Sequence, residues 1–436
     1  MKISEFFKTD YVDQASYDNL RKIASVVDGQ KNAARKIIHT VLEKKIKQKI
    51  KVSQLGSKAS EFTEYLHGSM DNVIVGLSQD YTGTNNLPLL HKKGNFGTRF
   101  TPEASAPRYI YTYGDDNLYN YFREDDSKIL KTQYFEGSKI EPMFFVPSVP
   151  ILLVNGADGV SSGFRQVFLP RKFENITKLL KDRLLNKSLN KKYLIPHYNN
   201  FSGVIEQGEN SKQWLIKGIV ERVSTNRVVI SEVPIGYSLK SFRNVLDELE
   251  EKKIIQRYKD KAENDNFLFE VTINSNDLKA WDDDTLLNKL KLIKKESEVY
   301  TVIDENNKIK VYDNIEDVLD HYIRIKLEYL ALRKSNNLIN LDLNIRLNYS
   351  KFIFIKSIVE NNLKINKRKK SAIIDDLGKI DNVIMKDDSY DYLLNMNIMS
   401  LTEERMNKLQ DDIKILKTEL DALKDTSIED IWLSEI

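Results

Sequence analysis

Ala104-Ser105-Ala106-Pro107-Arg108-Tyr109-Ile110-Tyr111-Thr112-Tyr113 is the stretch on which the reading of this chain turns. It sets an arginine directly before a tyrosine, a short way after a strongly basic region. A tyrosine phenol is able to attack a phosphodiester and form a covalent link between protein and nucleic acid. With an ordinary pKa of about 10, a phenol needs assistance to do so at neutral pH. A neighbouring guanidinium assists by stabilising charge on the phosphate in the transition state. The chain has 21 tyrosines, and an Arg-Tyr pair alone marks packing far more often than chemistry. The surrounding sequence therefore has to decide.

Upstream, Lys31–Lys58 holds nine Lys and Arg residues against one acid, Glu43. The whole chain carries only +3 over 436 residues, so the remainder is net acidic. A basic patch concentrated on a near-neutral protein is the electrostatic footprint of a polyanion. The other reading of such a run is a solvated helix face. Ala33–Lys49 has apolar residues at Ile37, Ile38, Val41, Leu42 and Ile46, a helical spacing. Val52–Gly56 reads as a short glycine-ended segment, and Met70–Asp80 as a further helix. A short helix, a connection and a second helix are compatible with a helix-turn-helix unit. Thr82–Thr101 is glycine- and asparagine-rich and reads as loop, with no Gly-x-x-x-x-Gly-Lys phosphate cradle.

Downstream, Lys212–Val223, Arg227–Glu232 and Asn266–Asn274 alternate like strands. Ser238–Lys253 and Asp284–Lys294 read as helices, and Glu305-Asn306-Asn307 as the turn of a hairpin. Residues 315–365 contain neither Gly nor Pro. Val318, Tyr322, Ile325, Tyr329, Leu332, Ile339 and Leu343 follow four-three spacing there, with Asn336 in the seam. Ser400-Leu401-Thr402-Glu403 is a capping box, followed by Met406, Leu409, Ile413, Leu416, Leu420 and Leu423. The two segments read as arms of an antiparallel coiled coil, or as part of an ordinary helical bundle. Between them Asp387–Ile398, with Tyr390, Tyr392, Leu393 and Leu394, is apolar for a loop. It reads as an exposed tip for dimerisation, or as an internal cap.

With 41% hydrophobic residues the chain is able to build real cores, and its length suits two or three domains. It has no cysteine, which excludes disulfides, Cys-zinc sites and thiol catalysis and is consistent with a reducing, cytoplasmic compartment. The most apolar run, Met143–Val154, is broken by Pro147 and Pro150 and is too short to span a bilayer. No signal peptide is visible in Met1–Asp10.

Several ordered motifs together resemble the breakage-reunion (gyrase A-like) subunit of type II DNA topoisomerases. They are Asp28-Gly29-Gln30-Lys31 with Arg35-Lys36, Lys51-Val52-Ser53-Gln54-Leu55, His67-Gly68, Phe96-Gly97-Thr98-Arg99, Ala106-Pro107-Arg108-Tyr109-Ile110 and Leu153-Val154-Asn155-Gly156-Ala157-Asp158-Gly159. Asp391-Tyr392-Leu393-Leu394 extends the likeness, so that it covers nearly the whole chain. The resemblance implies a multidomain α+β protein: an N-terminal arm (1–27), a winged-helix DNA-cleavage domain (28–170), a mixed α/β tower domain (171–314), and a long antiparallel coiled coil with a helical dimerisation tip (315–436). It implies Tyr109 as nucleophile and Arg108 as its charge partner. It places Arg21, Lys31, Arg35, Lys36, Tyr65 and His67 on DNA and makes Val160, where the family usually has isoleucine, the wedge between base pairs. His67 is alternatively a capping or packing histidine. The chain departs from the family with Leu66 in place of a first histidine, Asn32 for proline and Ala34 for His or Gln.

No metal site is expected on this chain. Asp115-Asp116 and Asp282-Asp283-Asp284 are acidic runs without a recognisable strand-end constellation. The resemblance implies that Mg2+ and ATP are supplied by a partner carrying ATPase and TOPRIM modules. It further implies that the chain is a homodimer on double-stranded DNA. The rival reading is a non-catalytic, dimeric DNA-bridging protein, which the basic patch and the coiled coil fit equally well; the Arg108-Tyr109 pair in its ordered context discriminates between them.

Overall fold

The computed structural model describes residues 3–397 and 401–436. They form two compact units: one runs to Lys326 and includes Glu435 and Ile436, the other is Leu327–Ser434.

The first unit opens with the helices Ile3–Lys8 and Asp10–Lys22, then three helices, Asn32–Glu43, Val52–Phe62 and Asp71–Ser78, packed on one another. Ile37, Ile38, Val41, Val52, Leu55 and Ile74 are fully buried between them. Each such side chain contributes about 1.5–3 kcal/mol by leaving water. The first of the three helices is shorter than its apolar periodicity suggests, because Lys45 turns into the left-handed region at φ 48 and leads into the strand Ile50–Lys51. The second runs on through Gly56, where a Cβ would lie 2.4 Å from Asp71 Oδ1; the glycine admits its neighbour rather than ending the helix.

Three antiparallel strands lie beside these helices, in the order Ile50–Lys51, Tyr111–Gly114, Leu90–Lys93. The central strand starts two residues after Tyr109, and Tyr111 is opposite both Lys51 and Lys93. The apolar run 143–154 is a buried core segment ending in the helix Ile151–Asn155. The hairpin Ala157–Ser161 and Phe164–Phe168 follows it.

Beyond this hairpin a four-stranded antiparallel sheet has the order Ile219–Ser224, Arg227–Glu232, Phe269–Thr272, Arg257–Asp260. Val228, Ile230, Phe269 and Val271 from the sheet share a core with Phe242, Leu246 and Leu249 of the helix Leu239–Glu251. The alternating run Lys212–Val223 is two strands. Gln213–Lys217 joins a separate three-stranded sheet, and Gly218 makes the break where a Cβ would meet Glu232 O at 2.3 Å. Asp284–Lys294 is likewise divided. The helix Asp283–Lys289 stops before Lys291 at φ 57, and the strand Ile293–Ser297 begins.

The helix Ile315–Val359 enters the second unit at Leu327. Its start belongs to the first unit, where Tyr322 Oη donates to Pro147 O (2.6 Å) and Lys326 Nζ to Val146 O (2.9 Å). In the second unit it runs antiparallel to Glu403–Asp425. Lys334 Nζ donates to Lys424 O (2.9 Å) and Thr426 O (2.6 Å) near that helix's end, while Lys351 feels the charge of Arg405 near its start. Leu409 and Ile413 are buried, and Met406, Leu416, Leu420 and Leu423 half-buried.

On the long helix the expected seam residues Leu332, Ile339 and Leu343 are exposed, whereas Leu330, Arg333 and Ile345 are buried. Tyr329, Leu347 and Phe354 are buried as well, so beyond the first unit the buried positions do not keep to one stripe of the helix. The expected exposed tip is also corrected. Tyr390 and Leu393 are buried with Phe354, Leu363, Ile373, Leu377 and Val383 in a core of their own, with Tyr392, Leu394 and Met396 packed on it. Ile398, Met399 and Ser400 lie outside the described residues. The helix that follows is capped by Thr402, whose Oγ1 accepts from Arg405 N at 3.3 Å.

Candidate functional site

Tyr109 ends the turn Pro107–Tyr109, with its amide donating to Ala106 O at 2.9 Å. The turn is pinned at both sides to the start of the helix Val52–Phe62: Ser53 N donates to Pro107 O (3.3 Å) and Val52 N to Ile110 O (3.0 Å). The first amides of a helix have no partner within it, so these bonds satisfy both the helix start and the turn. Ile110 is buried beneath, packed on Gly94, which takes φ +105 and whose Cβ would lie 2.9 Å from Ile110 Cγ2. With its base fixed, the Tyr109 side chain stands 67% exposed. The Arg108 guanidinium lies 5.0 Å from its ring centroid. A phenol and a guanidinium are thus presented together, outward, on a rigid turn.

A second cluster lines a cleft of ≈ 480 Å³ that includes Arg21, Lys31, Tyr65, His67 and the segment Gly156-Ala157-Asp158. Four of the residues expected on DNA are therefore neighbours, although they come from separate stretches of sequence. Lys31 Nζ donates to Asp158 O at 2.5 Å, and burial lowers its pKa against the opposing pull of the Asp158 carboxylate. His67 Nε2 is hydrogen-bonded to the Tyr17 hydroxyl, and its ring meets Tyr65 edge-on at 5.8 Å. Val160 is 67% exposed on the adjoining hairpin. Ser161 and Ser162 at the end of that hairpin donate to Asp18 Oδ2, both at 3.1 Å. The Lys22 ammonium, with those hydroxyls, holds the Asp18 carboxyl down at about 2. Neither Arg108 nor Tyr109 lines this cleft.

Arg35 and Lys36 require a correction. Both are 7% exposed. Arg35 grips Asp28 with Nε–Oδ2 at 2.6 Å and Nη2–Oδ1 at 3.0 Å and donates to Gln30 O at 3.1 Å. Burial opposes its charge, but the Asp28 carboxylate more than offsets it and raises the pKa. Lys36 Nζ donates to Glu141 Oε2 (2.8 Å) and Thr63 O (2.7 Å). A phosphate would have to displace buried carboxylates to reach them, so they are structural cations. The exposed cations near Tyr109 are others. Lys49 sits 5.7 Å from the Tyr111 ring centroid, and Lys93 is exposed on the strand beside Tyr111. The cross-strand place of Lys93 was hidden in a stretch that reads as loop.

Among the described residues no group of three or more His, Cys, Asp or Glu side chains is arranged to hold a metal ion. Among the same residues no helix is long and apolar enough to cross a membrane.

An exposed phenol thus stands with a guanidinium beside it on a turn of the first unit, and the cleft lined by Arg21 and Lys31 belongs to the same unit. Residues 21–436 match the family of the A subunits of DNA gyrase and topoisomerase IV, and the chain belongs to that family. It is 29% identical over 448 residues to the mitochondrial DNA topoisomerase 2 of Dictyostelium discoideum, covering 99% of this chain and 34% of that protein. It is 28% identical over 415 residues to the DNA topoisomerase medium subunit of Enterobacteria phage T4, covering 94% and 91%. The crystal structure of the DNA-binding, cleavage and re-ligation domain of Plasmodium falciparum topoisomerase II superposes with a TM-score of 0.88, at 28% identity, over 99% of this chain and 63% of that one. The chain spans about a third of the length of the cellular topoisomerases it matches.

Proposed function

We propose that this chain is the DNA breakage-reunion subunit of an ATP-dependent type II DNA topoisomerase. The observation that carries this reading is the outward presentation of Tyr109 with Arg108 on a turn held by a helix start. Tyr109 Oη attacks a DNA phosphorus and loses its proton. The bond from phosphorus to the 3′ oxygen breaks, that oxygen takes up a proton, and a 5′-phosphotyrosine remains. Attack by the same 3′ hydroxyl on the phosphotyrosine reverses the step and reseals the strand. Arg108 offers positive charge to the non-bridging oxygens while this happens.

The duplex runs over the cleft of Arg21, Lys31, Tyr65 and His67, where the Tyr17 hydroxyl has to yield His67. Val160 enters between base pairs, and Lys49, Lys51 and Lys93 contact phosphates near Tyr109. Residues 28–170 act as a winged-helix cleavage domain, 171–314 as a tower, and 315–436 as a coiled coil ending in a dimerisation gate. The antiparallel course of the two long helices supports the coiled coil. The chain works as a homodimer in the cytoplasm of its host. Mg2+ and ATP enter through a partner with TOPRIM and ATPase modules. The T4 relative is named a medium subunit, which is in keeping with such a division.

The test is to mix chain, partner, supercoiled DNA, Mg2+ and ATP and then denature. DNA should remain covalently attached to this chain, and Tyr109→Phe should abolish the attachment while DNA affinity stays within about twofold, because affinity resides in phosphate contacts. No attachment to the parent chain would favour a non-catalytic DNA-bridging role instead.

A further inference from the structure

The loop 95–105, which leads into the turn of Tyr109, is held from a part of the chain more than 150 residues away. Asn95 closes its base: Ser105 N donates to Asn95 O at 3.0 Å, and Gly97 N to Asn95 Oδ1 at 2.9 Å. At its far end the side chains of Arg99 and Phe100 are embedded. Arg99 pairs with Glu232 (2.7 Å), donates to Val233 O (2.8 Å) and lies 4.8 Å from the Phe267 ring centroid. Phe100 meets Phe267 edge-on at 4.9 Å. The backbone is gripped separately: Asp265 Oδ2 accepts from Arg99 N (3.2 Å) and Oδ1 from Phe100 N (3.0 Å). One carboxylate thus takes two successive amides of the loop, nine and ten residues before the nucleophile.

Asp265 sits in the connection between the strands Arg257–Asp260 and Phe269–Thr272, in the left-handed region at φ 62, following Asn264 at φ 52. Two successive non-glycine residues in that region are uncommon and are kept only where the surroundings fix them. Their effect here is to turn the carboxylate toward the loop.

We infer that Asp265 is a positioning residue for Tyr109: its carboxylate, carried by the four-stranded sheet, sets the register of the loop that delivers the phenol to the phosphate. The inference rests on the assignment of Tyr109 as nucleophile. It makes the sheet a lever on cleavage rather than a passive neighbour, because a displacement of its strand connection is passed directly to loop amides. Geometry of this kind acts on the chemical step, where a misplacement of about 1 Å costs on the order of 100-fold in rate.

The test is Asp265→Gly in the full chain, assayed with its partner, Mg2+ and ATP. Glycine adopts a positive φ without strain, so the connection keeps its shape while the carboxylate is lost. Three quantities are measured: the single-turnover rate of covalent DNA attachment at saturating DNA, the DNA Kd, and Tm. The expected result is a rate about 10-fold to 100-fold lower, a Kd within about twofold and a Tm lowered by no more than a few degrees, as the loss of two amide hydrogen bonds requires. Asp265→Asn, which tolerates the same backbone and keeps one acceptor, should fall between parent and glycine variant. A parental rate in Asp265→Gly overturns the proposal. So does a rate loss matched by an equal loss of affinity. Tyr109→Phe run alongside separates the two readings: attachment that survives there removes the nucleophile assignment, whatever Asp265 does.

Discussion

Arg35 and Lys36 lie in the most basic stretch of the chain, yet both direct their charge inward, to Asp28 and Glu141. Removing one partner of a buried pair strands the other, at a cost of about 3–5 kcal/mol. Arg35→Ala and Lys36→Ala are expected to lower Tm sharply while leaving the salt dependence of DNA binding unchanged in the fraction that folds. Lys49→Ala and Lys93→Ala are expected to do the opposite, each flattening the slope of log affinity against log salt by about 0.9. Thermal melts and salt titrations on the four variants decide it, and a flattened slope for Arg35→Ala would return that residue to the DNA surface. The sequence shows a side chain's charge but not its partner: Asp28 is seven residues from Arg35, whereas Glu141 is 105 from Lys36. The placing of Tyr109 beside Arg108 was legible from the adjacent arginine and the flanking motifs; the place of Asp265, 165 residues from the amide of Phe100, was not.

His39 adds a pH dependence at the same scale. Its ring stacks on Phe62 at 5.2 Å, its Nε2 is buried without a hydrogen-bond partner, and burial, reinforced by Lys139, Lys36 and Lys44, lowers its pKa from 6.5 to about 4. Between pH 6.5 and 4 the unfolded chain binds a proton that the folded chain refuses, so stability falls as pH is lowered through that window and is fully present above it. The effect is at most about 3 kcal/mol at 1.36 kcal/mol per pK unit. His39→Phe, which keeps the stack on Phe62, should remove this part of the slope in denaturant melts from about pH 7 to 4. An unaltered slope would assign the acid sensitivity to other groups.

The helix Glu403–Asp425 could be read directly, since Leu409 and Ile413 of its apolar steps are buried and Met406, Leu416, Leu420 and Leu423 half-buried. The helix Ile315–Val359 could not, because one continuous apolar stripe serves two surroundings. Val318, Tyr322 and Ile325 are core residues of the first unit, while Leu332, Ile339 and Leu343 on the same stripe are exposed in the second. Periodicity reports a face and leaves open what covers it. The apolar segment near Leu393 misled for the same reason. Leu393 is 1% exposed within its own core, so Leu393→Glu places a carboxylate there without a partner. It should lower the Tm of the second unit and reduce the near-UV signal of the tyrosines beside it. Ile339→Glu, at an exposed position, should alter stability by no more than about 0.5 kcal/mol. If Leu393→Glu melts like the parent, the segment is not the core that the packing describes.

For the whole molecule, one chain offers one Arg108–Tyr109 pair, and a double-strand break needs two nucleophiles. Two copies related by a dyad match the local symmetry of the duplex, and cyclic dimers are the commonest symmetric assembly. This requirement can be counted. Parent and Tyr109→Phe chains are mixed in equal amounts under conditions that allow exchange, then supplied with partner, Mg2+, ATP and circular DNA. Random pairing gives about a quarter parental dimers, a quarter fully substituted dimers and a half mixed dimers. A mixed dimer retains one phenol and cuts one strand. Linear product on denaturation should therefore fall to about a quarter of the parental amount, with nicked circles appearing in its place. If linear product falls only to about three quarters and no nicked circles form, one copy makes both cuts, and the single nucleophile per chain assigned to Tyr109 would be wrong.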